Sequence, residues 1–290
     1  MPLIRRSPCK VNFVLNILGR RSDGFHDLET LFFPVPAFDE ISFEAAAAGI
    51  ALTCSHPDLP VDSSNLVYRA AEGFLREARI SSGVRIHLDK LLPLSAGIGA
   101  GSANAAVTLL ALNELFGGPL TPSSLDSLAA GLGSDVNFFL QEGPALATGR
   151  GERIQPLPLF TCLTGHALLM FHPGFGVPTP WAFKALSAFP TLRDGKPGRA
   201  SAVAERFGRG DVRGAVALWF NALEGPVLEK YPILALHQEF LLRAGAIGAR
   251  MSGSGSTTFA LFPSVAMAEA VVDGFRAEFG EAGWLRVVPL

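Results

Sequence analysis

The segment that most constrains this chain is Pro93-Leu94-Ser95-Ala96-Gly97-Ile98-Gly99-Ala100-Gly101-Ser102-Ala103-Asn104. Gly97, Gly99 and Gly101 alternate, and an apolar helical run follows, expected to start near Ser102 and to stop at Phe116 before Gly117-Gly118-Pro119. Alternating glycines let backbone N–H groups converge on one point without obstruction by Cβ atoms. A helix N-terminus directly afterwards adds unpaired N–H donors and the positive end of a dipole, and together these form a phosphate cradle. No Lys follows the glycines, which excludes a Walker-type loop. Ser102 stands where a dinucleotide fingerprint needs glycine, and no βαβ frame surrounds the segment.

Around this loop the chain alternates between strand and helix patterns. Lys10 to Ile17 places Val11, Phe13, Leu15 and Ile17 on one face and Lys10, Asn12, Val14 and Asn16 on the other. Further strands are expected at Leu28–Val35, Glu40–Glu44, Val84–Leu88, His166–His172, Thr257–Phe262 and Leu285–Val288. Helices are expected from a Ser64 cap to Arg79, from Thr121-Pro122 to the Gly131–Gly133 region, and over Val212–Leu223, Pro232–Ala244 and Val265–Phe279. Leu157–Gly165 reads as a connection, giving a first domain over 1–158 and a second over 159–290. The mixture without regular βαβ alternation indicates an α+β chain.

Hydrophobic residues make up 49% of the chain and charged residues 17%, enough apolar content for large buried cores. A net charge of −2 argues against a generally basic nucleic-acid binder. Cys9, Cys54 and Cys162 are dispersed, which argues against both a disulfide framework and a structural zinc site. Met1 to Cys9 has no apolar core of a signal peptide, and no apolar run is long enough to span a bilayer. The expectation is a cytoplasmic protein with small-molecule partners, neither nucleic acid nor membrane. Its oligomeric state, monomer or weak homodimer, is left open.

At the glycine loop the chain resembles the GHMP kinases, whose ATP loop has the pattern PxxxGLGSSAA. It is most similar to the subgroup with the longer PMGAGLGGGSSNAA loop, which acts on a cytidine-diphosphate-linked methylerythritol. Pro93, Ala96, Gly97, Gly99, Gly101, Ser102, Asn104, Ala105 and Ala106 fit that form. The N-terminal stretch Lys10-Val11-Asn12 through Gly24-Phe25-His26-Asp27-Leu28-Glu29-Thr30 resembles the subgroup's AKINLxLxVxGRRxDGYHELxT. Gly133-Ser134-Asp135-Val136 resembles its GADVP, and Arg250 to Gly255 resembles the third motif of the superfamily. Departures are Ser95 and Ala100 for glycines, Ala103 for Ser, Phe25 for Tyr and Asn137 for Pro.

The resemblance implies an N-terminal domain like ribosomal protein S5 domain 2, followed by a ferredoxin-like C-terminal domain. It implies ATP as phosphoryl donor with Mg²⁺, whose protein ligands are not identified beyond Ser102 as a candidate. By the same resemblance Asp135 is the catalytic base and Lys10 its cationic partner. Pro93 to Ala103 bind ATP, and Ser252, Gly253, Ser254 and Gly255 support the phosphates. Asn12, Phe25, His26 and Phe183 bind the acceptor, its cytosine lying against the aromatic rings. Taken alone, Asp135 would be a turn aspartate, Lys10 a solvent-facing strand end, Asn16 polar surface and Phe183 equally a core aromatic. Competing readings are a homoserine- or phosphomevalonate-type kinase, a non-catalytic nucleotide-ligand sensor and a dinucleotide oxidoreductase. Gly24-Phe25-His26 with Asn104 opposes the first, intact Lys10 and Asp135 the second, and the missing βαβ frame the third.

Overall fold

Side-chain alternation sets β1 (Leu3–Arg20), yet both faces of its central part are interior in the computed structural model, which describes residues 1–290. Lys10, Asn12, Val14 and Asn16 are as buried as Val11, Phe13, Leu15 and Ile17. The mixed face is therefore not a solvent face, and Asn16 is interior, which corrects its reading as polar surface. β2 (His26–Ala46) joins two expected strands into one. Its Pro34 and Pro36, which have no N–H to donate, fall between two ladders. Leu28–Phe32 pairs with Ala145–Gly149, and Glu40–Ala46 with Gly83–Asp89.

The chain forms two compact units, each assembled from separate segments. Met1–Cys9, Ala37–Leu92 and Gly99–Glu142 make the first; Lys10–Pro36, Pro93–Ile98 and Gly143–Leu290 make the second. β1 and β2 each carry residues into both units.

The first unit contains β3 (Ile50–Cys54), α1 (Leu66–Glu77), β4 (Gly83–Asp89), α2 (Ala100–Leu115) and α3 (Pro122–Leu132). β4 pairs antiparallel with β2 and parallel with β3. α1 buries Val67, Ala70, Ala71, Phe74 and Leu75 along one stripe. Its cap is Asn65 rather than Ser64: Val67 N–H donates to Asn65 Oδ1 at 2.8 Å, while the Ser64 hydroxyl donates to Asp62 Oδ1 at 2.7 Å. α3 starts as expected, with Thr121 Oγ1 accepting from Ser124 N–H and Pro122 in the first turn, and it ends at Gly133.

The second unit opens with the hairpin of β5 (Ala145–Gly149) and β6 (Arg153–Pro156), then β7 (Ala167–His172). Four helices follow: α4 (Thr179–Ala185), α5 (Pro190–Arg193), α6 (Arg199–Gly208) and α7 (Val212–Ala217). The remaining elements are β8 (Phe220–Asn221), α8 (Glu224–Lys230), α9 (Ile233–Arg243), β9 (Gly248–Met251), β10 (Thr258–Phe262), α10 (Val265–Phe279) and β11 (Trp284–Pro289). The helix expected over Val212–Leu223 stops at Ala217. Phe220 and Asn221 instead pair parallel with Val14 and Leu15 of β1, and the Asn221 amide donates to the Met251 and Gly253 carbonyls, each at 2.8 Å. Those tertiary bonds outweigh the local helical pattern.

β7, β9, β10 and β11 form an antiparallel sheet in the order β11-β7-β10-β9, with α9 and α10 as its connecting helices. This is the split βαββαβ arrangement of a ferredoxin-like unit. Its core includes Phe171, Leu241, Phe262, Phe275 and Leu285. Complete burial of a side chain such as Phe262 or Phe275 contributes roughly 2–3 kcal/mol. The architecture is α+β, and no helix is long and apolar enough to cross a membrane.

Candidate active site

In the second unit the glycine loop and the third motif interlock through their backbones. Gly97 (φ +76°) and Gly253 (φ +57°) both occupy left-handed conformations. A Cβ on Gly97 would lie 2.3 Å from the Ser252 carbonyl oxygen, and one on Gly253 would lie 2.7 Å from the Gly97 carbonyl oxygen. Only glycine fits at either point. The Ser252 hydroxyl donates to the Gly97 carbonyl at 3.0 Å, and Thr257 N–H donates to the Ala96 carbonyl at 3.2 Å. Within the third motif, Gly255 N–H donates to the Ser252 carbonyl at 2.9 Å, and the Thr179 and Ser254 hydroxyls are 2.8 Å apart. Ser256 donates to the Phe175 carbonyl and lies 3.2 Å from Nδ1 of His172, whose pKa burial pushes down to about 4. These bonds join the turn to the chain after β7.

Ser95 and Ala100, the two replacements of glycine, have different backbone states. Ser95 has φ +51°, the left-handed region that costs a non-glycine residue about 1 kcal/mol. Gly176 approaches it so closely that a Cβ there would meet Ser95 Cβ at 2.7 Å. Ala100 is unstrained because it is the first residue of α2. The helix thus begins two residues before the expected Ser102, with Gly99 (φ +70°) as its cap and no capping side chain. The helix therefore reaches farther toward the loop, and the N–H groups of Ala100, Gly101 and Ser102 are those without intrahelical acceptors. Ala103 is buried and Ser102 half-buried.

Lys10 opens the central part of β1 and is only 3% exposed. Its backbone N–H donates to the Ile98 carbonyl at 2.9 Å, which ties the strand to the glycine loop. Its ammonium donates to Asn12 Oδ1 at 2.7 Å and lies 5.0 Å from the centre of the Phe32 ring. The Asn12 amide in turn donates to Thr30 Oγ1 at 2.8 Å, and the Thr30 hydroxyl to the Val14 carbonyl at 2.5 Å. This chain of donors fixes the direction in which the Lys10 side chain points. Farther along β1, the Asn16 amide donates to Glu29 Oε1 and to the Lys196 carbonyl, both at 2.9 Å.

Asp135 belongs to the first unit, half-buried in the turn that follows α3. Val136 N–H donates to the Gly133 carbonyl at 3.2 Å and closes that turn. Asn137, in place of Pro, donates its amide to the Asp126 carbonyl at 2.9 Å and to Asp126 Oδ1 at 2.5 Å. It therefore anchors the Asp135 turn on α3 by a different route.

Phe25 and His26 leave a tight hairpin in which Arg21 N–H donates to the Phe25 carbonyl at 2.8 Å and Phe25 N–H to Asp23 Oδ1 at 3.1 Å. Phe25 is 53% exposed, with the Arg150 guanidinium 4.9 Å from its ring centre. His26 and Phe183 come together, their ring centres 5.2 Å apart and their planes inclined by 30°. Burial, and then the positive charges of Arg20 and Arg193, lower the His26 pKa, favouring a neutral ring that can both donate and accept a hydrogen bond. Phe183 also packs on the cluster around Val177, Leu186 and Leu223. No group of three or more His, Cys, Asp or Glu side chains has the geometry to hold a metal ion.

Comparisons with known proteins identify the family. The GHMP kinases N-terminal domain matches residues 65–143, and the GHMP kinases C-terminal domain matches residues 200–281. A 4-diphosphocytidyl-2-C-methyl-D-erythritol kinase from Synechococcus sp. strain JA-3-3Ab is 40% identical over 278 residues, covering 94% of this chain and 89% of the relative. A crystal structure of 4-(cytidine 5'-diphospho)-2C-methyl-D-erythritol kinase superposes with TM-score 0.81 at 34% identity, covering 99% of this chain and all of that one. A homoserine kinase from Cytophaga hutchinsonii shares the fold, with TM-score 0.72 at 21% identity over 98% of this chain and 95% of that one. The chain belongs to the GHMP kinases and, within them, to the family of the 4-diphosphocytidyl-2-C-methyl-D-erythritol kinases.

Proposed function

We propose that this chain transfers the γ-phosphoryl group of ATP to the 2-hydroxyl of 4-diphosphocytidyl-2-C-methyl-D-erythritol, a step of non-mevalonate isoprenoid precursor synthesis. The observation that carries the reading is the interlock of Gly97 with Ser252 and Gly253. It shapes a glycine loop directly ahead of a helix whose first N–H groups lack intrahelical acceptors. Relatives matching 94% and 99% of the chain carry the name of this activity, which supports it over a homoserine or phosphomevalonate acceptor. The two family matches also fall one in each of the halves 1–158 and 159–290.

In this reading Pro93 to Ala103 receive the ATP phosphates, and Ser252 to Gly255 hold the loop in shape. ATP enters as its magnesium complex, the metal being carried on the phosphates; Ser102 is the protein hydroxyl placed in the first turn of α2. Asp135 accepts the proton of the 2-hydroxyl as its oxygen bonds to the γ-phosphorus and the bond to the β-phosphate oxygen breaks, releasing ADP. Lys10, its ammonium directed by Asn12 and Thr30, offsets negative charge developing on the acceptor oxygen. His26 and Phe183 take the cytosine, with Phe25 as a further aromatic face. The enzyme works in the cytoplasm on small molecules, without nucleic acid or membrane.

The test is phosphoryl transfer by purified protein with ATP and Mg²⁺, offered the cytidyl acceptor, homoserine, mevalonate and phosphomevalonate separately. Reaction with the cytidyl acceptor alone is expected, and Asp135→Asn lowers kcat at least a hundredfold with the fold intact. Turnover of a different acceptor, or an Asp135→Asn variant as fast as wild type, refutes the corresponding part.

A further inference from the structure

The proposed ATP loop leaves and re-enters the first unit at a single buried carboxylate, which the sequence motifs do not include. Asp39 on β2 is 0% exposed. Its Oδ1 accepts the backbone N–H groups of Leu91 and Leu92, each at 2.8 Å. Its Oδ2 accepts from the Lys90 ammonium at 2.7 Å and from the Asn104 amide at 3.0 Å. Lys90 also donates to the Leu92 carbonyl at 2.7 Å, and Asn104 to the Ser7 hydroxyl at 2.9 Å. Leu92 is the last residue before Pro93, so its N–H and its carbonyl are both held immediately ahead of the loop. Asn104 lies one helical turn beyond Ala100, immediately after it.

This arrangement has a consequence for binding. Three glycines give the segment between these anchors wide conformational freedom, and freedom that must be surrendered on binding subtracts from affinity. Holding both ends at one point narrows the loop's ensemble before any ligand arrives. A carboxylate suits the task because it accepts several donors at once, and the paired Lys90 makes its complete burial tolerable. Pro93 adds a restriction of its own on Leu92.

We propose that Asp39 is a positioning residue for nucleotide binding: it staples the two ends of the glycine loop, through Leu91, Leu92 and Lys90 on one side and Asn104 on the other. The proposal rests on Pro93 to Ala103 being the ATP loop. It predicts that untying one end weakens ATP and leaves the acceptor alone, a split that general destabilisation does not produce.

The experiment uses the full chain and the Mg²⁺ complex of a non-hydrolysable ATP analogue, its Kd measured by calorimetry for wild type, Asp39→Asn and Asn104→Ser. Asp39→Asn is the harsher change and has the greater chance of not folding. Asn104→Ser carries the test alone in that case, because it leaves Asp39 with Lys90 and both backbone donors. For Asn104→Ser the analogue Kd rises about five- to twentyfold, and peptides spanning 93–101 exchange amide hydrogens several-fold faster without nucleotide. The KM for the cytidyl acceptor, and kcat at saturating ATP, stay within about twofold of wild type. An analogue Kd within twofold of wild type in folded Asn104→Ser, with or without a lower Tm, overturns the staple while leaving the loop assignment standing. A wild-type protein that binds no analogue overturns the loop assignment and the staple together.

Discussion

Asp39 and Glu29 are buried carboxylates on the same strand, and they secure neighbouring chain by different chemistry. Asp39 pairs with a cation, Lys90, and adds an amide and two backbone donors. Glu29 has no ammonium or guanidinium among its partners. It accepts from the backbone N–H groups of Gly198 and Arg199 at 2.8 Å and of Ala200 at 3.3 Å, together with the Asn16 amide. These are the cap and first residues of α6, so Glu29 serves as the helix's N-terminal anion, supplied from far along the chain. One charge is balanced by a counter-ion and the other by a helix end. Removal of the first strands a buried ammonium, whereas removal of the second strands only neutral dipoles.

That difference sets the order of two predictions. Asp39→Ala leaves Lys90 buried with the Leu92 carbonyl and no carboxylate, and stability falls by about 3–5 kcal/mol in urea unfolding. The double variant Asp39→Leu/Lys90→Met removes the uncompensated charge and recovers much of that loss. Glu29→Ala costs less, about 1–2 kcal/mol, the range for a lost helix cap. Equal losses from the two single variants would erase the distinction between counter-ion and helix end. Failure of the double variant to recover would instead place the cost in packing.

Those two carboxylates also mark where the sequence could be read and where it could not. The glycine loop is visible because it is contiguous and has an unusual spacing of residue types, whereas the Lys10 strand and the Gly133–Val136 turn stand out only through their resemblance to the family's motifs. Asp39 was not, since a single acid in an extended stretch reads as a solvent-facing residue until Lys90 and Asn104 are known to lie against it. Glu29 stood inside a recognised motif, but its partners at Gly198 to Ala200 cannot be inferred from local pattern. α2 starts two residues before Ser102 because Gly99 makes the turn with backbone alone, and no capping side chain marks that start in the sequence. Phe220 and Asn221 fit a helix locally, and only their bonds to β1 and to the third motif place them in a strand. Phe183, ambiguous as a core aromatic, both packs on a core cluster and meets His26.

The smallest effect is expected between the stapled ends, at Ser95. The family pattern carries glycine there, and the φ of +51° supplies the reason. Ser95→Gly relieves about 1 kcal/mol of left-handed strain. It also enlarges the freedom of the unfolded chain, which costs roughly 0.4–1 kcal/mol. The two nearly cancel, so stability changes by no more than about 0.5 kcal/mol, a small Tm shift by calorimetry. Ser95→Val is the sharper probe. A β-branched side chain is poorly accommodated at positive φ, and the additional methyl groups crowd a position where Gly176 already approaches closely. Its expected loss is about 1–2 kcal/mol. Equal tolerance of Gly and Val would mean that the loop relaxes freely between its anchors, and the contrast between firmly held ends and a strained centre would disappear.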